Sequence, residues 1–236
     1  MTNAIVLFRN DLRISHNPAL YHAAQEHQIL PVYILDDDPT VCDLGGANKV
    51  WLHQSLMSLD QSLGKQLCLY RGHTQSILER LVQEYDISAI YWNRRYTPYH
   101  IEQDKTIKAH FKDKGIAVHS YKANLLKEPW ECLKADHSPY VVFTPFYKKN
   151  YLSQGIEDQP LPAPDSISYV PGVQATQVND LKLLTHKPWE DTLLQYWAIG
   201  EDAARRRFLN FIDTRISTYK DGRNFPAQTV TSELSP

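Results

Sequence analysis

The sequence predicts an α/β fold: a doubly wound, five-stranded parallel sheet of Rossmann-like type, a long linker, and the start of an all-helical domain. Three observations carry this. Short apolar runs alternate with amphipathic stretches through the first half. The runs are nearly continuous, as in strands buried on both faces. From about Glu131 to Lys187 the alternation gives way to proline-rich polar sequence, and helical periodicity returns near Trp189. The expected division is therefore 1–130, 131–187 and 188–236.

The first run, AIVLFR (4–9), precedes a helix-like NPALYHAAQEHQ. ILPVYILD (29–36) follows, then NKVWLHQSLMSLDQSLG, with Val50, Leu52, Leu56, Leu59 and Leu63 at helical spacing. KQLCLYRG (65–72) leads to TQSILERLVQEYD, whose Ile77, Leu78, Leu81, Val82 and Tyr85 form a stripe and whose Thr74 can serve as N-cap. After AIYWN (89–93), Pro98 suits the first turn of PYHIEQDKTIKAHFKDKG, and IAVHSYKA (116–123) is the fifth strand. Strand–helix alternation implies right-handed crossovers with helices on both faces. In the last segment, Ala204, Phe208, Phe211, Ile212, Ile216 and Tyr219 make one apolar stripe, with Glu201 and Asp202 favouring the helix start electrostatically. One amphipathic helix cannot bury its stripe alone, so something must cover it.

Ligands of such sheets sit beyond the carboxyl ends of the strands. Those ends carry Arg9-Asn10-Asp11, Asp36-Asp37-Asp38, Arg71-Gly72-His73 and Asn93-Arg94-Arg95. Neither a G-x-G-x-x-G nor a P-loop is present, so the usual dinucleotide and triphosphate cradles are not supported. A formal net charge of −2 gives no bulk attraction to nucleic acid, although a local basic patch stays open. Three scattered cysteines, Cys42, Cys68 and Cys132, have no metal spacing and suit a reducing cytoplasm. No apolar run approaches the roughly 20 residues of a membrane span. Trp51, Trp92 and Trp130 are expected in the core, and Arg205, Arg206 and Arg207 on a solvated helix face.

Several segments, in order along nearly the whole chain, resemble one family, the DNA photolyases and cryptochromes. They are IVLFRNDLRISHNPAL, WLHQSLMSLDQSL, YWNRRYTPYHIEQD, YVVFTPFYKK, WAIGEDAARRRFLNFI and YKDGRNFPAQTVTSELSP. The resemblance implies an N-terminal α/β domain able to hold a light-harvesting antenna, and a helical domain that holds FAD and a flipped-out pyrimidine dimer. It implies that Tyr219 contacts FAD, that Thr231, Ser232, Leu234 and Ser235 wrap its phosphates, and that Arg223 contacts DNA. In some relatives a reduced folate is gripped at the positions of Tyr99 and His100. Neither residue repeats the acidic and amide pattern found there, but His100 or Lys148 or Lys149 could pair with a glutamate tail. Methenyltetrahydrofolate is the antenna this implies, with a deazaflavin, a flavin or an empty site as alternatives. The family shows an acidic strand end without metal where Asp36 to Asp38 stand, so these read as a solvated turn.

Two departures matter. Val230 stands where the family usually has glycine, and Glu233 where it usually has arginine; a carboxylate facing phosphates would repel them. The remaining FAD helices, the dimer-contacting acid and the tryptophan chain of the family have no counterpart in these residues, so no catalytic residue is assigned. The expectation is the N-terminal portion of a photolyase-like protein, inactive alone, whose partners are damaged DNA and a complementing C-terminal chain. The alternatives are a stand-alone antenna module or non-catalytic remnant and, within the family, a cryptochrome-like photoreceptor.

Overall fold

The computed structural model describes residues 1–37, 44–153, 155, 159–174 and 176–234. Five strands, β1 (Thr2–Phe8), β2 (His27–Leu35), β3 (Cys68–Arg71), β4 (Ile87–Asn93) and β5 (Ala117–Tyr121), form one sheet in the order β3-β2-β1-β4-β5. All four pairings are parallel. Between the strands run α1 (Pro18–Glu26), α2 (Gly46–Ser62), α3 (Thr74–Glu84) and α4 (Pro98–Asp113). The expected doubly wound, five-stranded α/β layer is present.

Strand alternation divides the core in two. Ala4, Val6, Phe8, Ile29 and Tyr91 face one side, where Leu20 of α1 and Leu56 and Leu59 of α2 pack. Ile5, Leu7, Val32, Ile90 and Trp92 face the other, against Leu78 and Leu81 of α3 and Ile107 and Phe111 of α4. Pro98 begins α4 as expected. Thr74 does not cap α3. His73 is the cap, its ring accepting from Ser76 N–H, and the Thr74 hydroxyl instead donates to Asp36 Oδ2 at 2.7 Å. In α2, Leu52 is only partly buried, and the face turns to include His53, whose Nε2 pairs with Asn179 Oδ1 at 3.0 Å.

Two tryptophans depart from the core expectation. Trp92 is buried, but Trp51 is 42 % exposed and Trp130 is 60 % exposed. Trp130 lies in a 3₁₀ turn (Pro129–Cys132) with the Arg94 guanidinium over its ring.

The stretch 131–187, expected as a bare connection, is partly built into the α/β layer. It includes α5 (Phe143–Tyr147), which runs into a π-helical turn (Lys148–Leu152), and a 3₁₀ turn (Val178–Leu181). Val178, Leu181 and Leu183 are buried against α2 and the sheet. The Thr176 hydroxyl both accepts from Leu69 N–H and donates to Leu69 C=O, at 2.8 Å each. Tyr169 forms an isolated parallel bridge with Ile29, in the row that the short β3 leaves unpaired. Composition marks this stretch as proline-rich and polar, but it cannot show that such a stretch carries its few apolar residues into a core.

Beyond it lie α6 (Pro188–Tyr196), α7 (Glu201–Thr214) and α8 (Tyr219–Gly222). Among the described residues, no helix is long and apolar enough to cross a membrane.

Candidate functional site

The strand order reverses between β1 and β4, so the switch point lies beyond Phe8 and Asn93. A buried polar network fills it. The Asp11 carboxylate accepts from Arg9 N–H at 2.7 Å and from Asn93 Nδ2 at 2.5 Å. Asn93 also donates to Asn17 Oδ1 at 2.8 Å and accepts from Ala19 N–H at 3.2 Å. Asn17 in turn caps α1, accepting from Leu20 N–H at 3.1 Å. The Arg9 guanidinium lies over Trp92, donates to Asn93 C=O, and pairs with Asp104 of α4 at 2.6 Å. Burial lowers the Arg9 pKa, and the Asp104 carboxylate opposes that shift. Asp104 also takes Arg95 at 2.9 Å, so one carboxylate bridges two cations. This network ties the strand ends together; most of its polar groups are spent on one another, with Arg9 Nε and Arg95 Nε buried without a partner, and it reads as the floor of a site.

Beside it, the start of α4 and the β3–α3 turn enclose an open cleft of about 550 Å³. His73, Pro98, Tyr99, Gln103 and Ile107 line it, among others. Gln103 links the cleft to the network, donating to Asp36 Oδ2 at 2.7 Å and accepting from Arg95 at 2.7 Å. Of the residues expected at an antenna, Tyr99 and His100 are brought together, their rings edge to face at 5.2 Å. Lys148 is exposed on the π-helical turn, a different element. Burial, then the charge of Arg95, lowers the His100 pKa, and Thr97 Oγ pairs with its Nδ1 at 2.6 Å. The shift disfavours the charged imidazole at this position. The lining combines apolar Pro98, Tyr99 and Ile107 with the amides of Gln75 and Gln103 and the carboxylate of Glu102. Asp36 is spent on Thr74 and Gln103, and Asp38 lies outside the described residues.

The residues expected at the flavin form a separate, shallow strip. Tyr219 is 36 % exposed, with its ring edge-on to Phe211 at 5.7 Å and the Arg223 guanidinium over it at 5.3 Å. Ser232 Oγ accepts from Leu234 N–H at 3.3 Å, and Thr231 C=O accepts from Arg215 at 3.5 Å. Ser235 lies outside the described residues. Glu233 has φ 55° and pairs with Arg207, so its charge is neutralised within the chain. Arg207 is thus not simply solvated, and it also lies over the Trp197 ring at 4.9 Å. Val230 covers buried Gly222, where a Cβ would meet the valine methyls at 2.9 Å. Thr231 and Ser232 lie on the turn that Arg215 contacts. Shallow and largely open to solvent, the strip does not by itself exclude water from a ring system.

Sequence reasoning missed Asp104, Gln103, Glu128 and Glu190, and gave Glu201 a role only at its own helix start. All lie on or beside a helix or turn; the Arg9 partner of Asp104 and the partners of Glu128 and Glu201 are distant in sequence, while those of Glu190 are local. Glu128 takes Arg94 at 2.5 Å, and Glu190 accepts from Thr185 N–H, Thr185 Oγ and His186 N–H. The signal for Asp104 and Gln103 was their helical spacing from Tyr99 and His100, which puts them on one face.

Comparison with known proteins accounts for the architecture. The DNA photolyase family model matches residues 4–165. A deoxyribodipyrimidine photo-lyase of Agrobacterium fabrum is 38 % identical over 98 % of this chain and 49 % of its own length. Cryptochrome-2 of Arabidopsis thaliana is 32 % identical over 98 % of this chain and 40 % of its own. The crystal structure of a bacterial class III photolyase from Agrobacterium tumefaciens superposes with a TM-score of 0.92 at 37 % identity, covering all of this chain and 50 % of that one. The chain thus spans about half the length of the relatives it matches, and it belongs to the DNA photolyase family.

Proposed function

We propose that this chain supplies the antenna-domain half, and one edge of the flavin- and DNA-facing half, of a light-driven DNA photolyase acting on cyclobutane pyrimidine dimers. The observation that carries this is the exposed apolar face of α7. Phe208, Leu209 and Ile212 of α7, and Ile216 just past it, are each more than a third exposed, shortly before Tyr219. Such a face calls for covering helices, and the relatives have about as much chain again. Reduced FAD, when bound, supplies the photoexcited electron that opens the dimer. The residues of this chain do the holding. The Tyr219 hydroxyl borders the flavin, Thr231 and Ser232 offer donors to its phosphates, and Arg223 clamps a DNA phosphate. The scattered cysteines suit action in the cytoplasm.

The test is complementation. The purified chain alone should show no flavin absorption and no light-dependent dimer splitting. Mixed with the C-terminal half of the Agrobacterium fabrum relative, it should gain both. Flavin bands from the chain alone, or no complex with the added half, would overturn the proposal. The cleft at Tyr99 favours a second reading, a stand-alone antenna module. A near-ultraviolet folate band from the chain, with no gain on complementation, would select it. Flavin binding without repair would select a cryptochrome-like photoreceptor.

A further inference from the structure

The start of α7 meets the α/β layer in an unusual way. Glu201 was expected to favour its own helix terminus, but both of its carboxylate oxygens are engaged elsewhere. Oε2 accepts from Ile14 N–H at 2.8 Å and Oε1 from Ser15 N–H at 3.0 Å. Those two amides belong to the β1–α1 loop, at the far end of the sequence, and adjacent N–H groups taken by one carboxylate form a charge-assisted, bidentate contact.

The loop that donates them is rigid. Asp11 and Asn17 are buried and locked to Asn93. Asn17 donates to Arg13 C=O at 3.0 Å, and Arg13 donates to His16 C=O at 3.2 Å and Ala123 C=O at 3.0 Å. His16 N–H donates to Leu161 C=O at 2.8 Å. Ile14 and Ser15 are thus presented by a socket that the strand-end network has already fixed.

Two further contacts seat the same joint. Gly200 has φ 118°, and a Cβ there would overlap the Ser58 side chain of α2, so glycine permits both the backbone turn and the close approach. Trp197 packs edge-on to Trp51 of α2 at 5.7 Å. On its other side α7 holds the strip: Phe211 meets Tyr219, and Arg207 holds Glu233.

We infer that Glu201 is a positioning residue that plugs α7 into the β1–α1 loop and so sets where Tyr219 to Leu234 stand relative to the cleft at Tyr99. This rests on the reading of those two places as flavin edge and antenna cleft. Light-energy transfer between chromophores depends on their separation and orientation. Glu201 therefore governs that transfer while touching neither.

Amide hydrogen exchange on the full chain tests the plug without any chromophore. The Ile14 and Ser15 amides should be protected, and Glu201→Ala should speed their exchange about tenfold to a hundredfold. The core amides of Ile5 and Ile90 should not change. Glu201→Gln keeps one acceptor oxygen and should release one of the two amides. Gly200→Ala, which pushes α7 off Ser58, should release both with Glu201 intact. If Glu201→Ala instead releases only the first-turn amides of α7, leaving Ile14 and Ser15 protected, the residue serves its own helix and the inference fails. Free exchange of Ile14 and Ser15 in the unsubstituted chain would also overturn it. In the complemented protein, Glu201→Ala should keep flavin absorption but lower antenna-sensitised excitation relative to direct excitation. If complementation yields no flavin, the light-harvesting reading falls, while the exchange result still decides the plug.

Discussion

In the α/β layer, Phe8, Trp92 and Phe111 are almost wholly removed from water, and the charges at the strand ends answer one another. In residues 201–225, Phe208, Leu209, Ile212, Ile216 and Phe225 face solvent. Both regions are rich in large apolar side chains, so composition does not separate them. Position does: α1 to α4 each have a sheet face to lie on, while α7 meets the layer along its first turns and leaves Phe208, Leu209 and Ile212 exposed. The first region is a finished core, and the second is one side of a core.

That contrast can be broken most directly by truncating matched side chains. Phe111→Ala should cost about 3–5 kcal/mol in urea unfolding, and Phe208→Ala less than about 1. Equal costs would mean that α7 is covered in solution. Next comes charge: Asp104→Ala strands Arg9 and Arg95 and should cost about 3–5 kcal/mol by the same measurement. A smaller loss would show that water reaches the network. Leu181→Ala asks whether the connection belongs to the finished core; a loss of about 2–4 kcal/mol would place it there, and a neutral result would return it to the linker class.

The smallest effect concerns pH. The Thr185 hydroxyl, then backbone N–H groups of Thr185 and His186, hold Glu190 below the usual carboxylate range. A depressed folded-state pKa contributes stability above the unfolded value, about 4.3, which is lost as pH falls through the folded value. Protection of α6 amides should decline over that acid window, and Glu190→Gln should flatten the decline. An unchanged acid profile in the variant would assign the decline to other carboxylates.

Periodicity made the layer legible. Near-continuous apolar runs suit doubly buried strands, as β1, β2 and β4 are, although β5 at the sheet edge is only partly buried; Leu78, Leu81 and Leu56 fall where spacing puts them. Pairings were less visible. Thr74 reads as a cap from its neighbours, yet its hydroxyl goes to Asp36, which the chain brings close only once β2 and β3 pair. Trp51 and Trp130 show the same limit, since an aromatic side chain states its apolar area but not which surface covers it. At the candidate site, Arg9, Asp11 and Asn93 could be named from strand ends, whereas Asp104 as their shared counter-charge required the α4 register. Arg207 as the partner of Glu233 required a turn with a left-handed residue that nothing in the sequence marks.

The bridge between Ile29 and Tyr169 has a consequence for the order of folding. A ribosome releases β2 long before it releases the residues that complete its outer row. Until then the lower edge of β2 presents unpaired amides and carbonyls, the template for wrong association. Closing so long a loop costs only slightly more entropy than closing a shorter one, but it is slow to find. The nascent layer therefore carries an open seam through much of its synthesis, and chaperone contact should concentrate there.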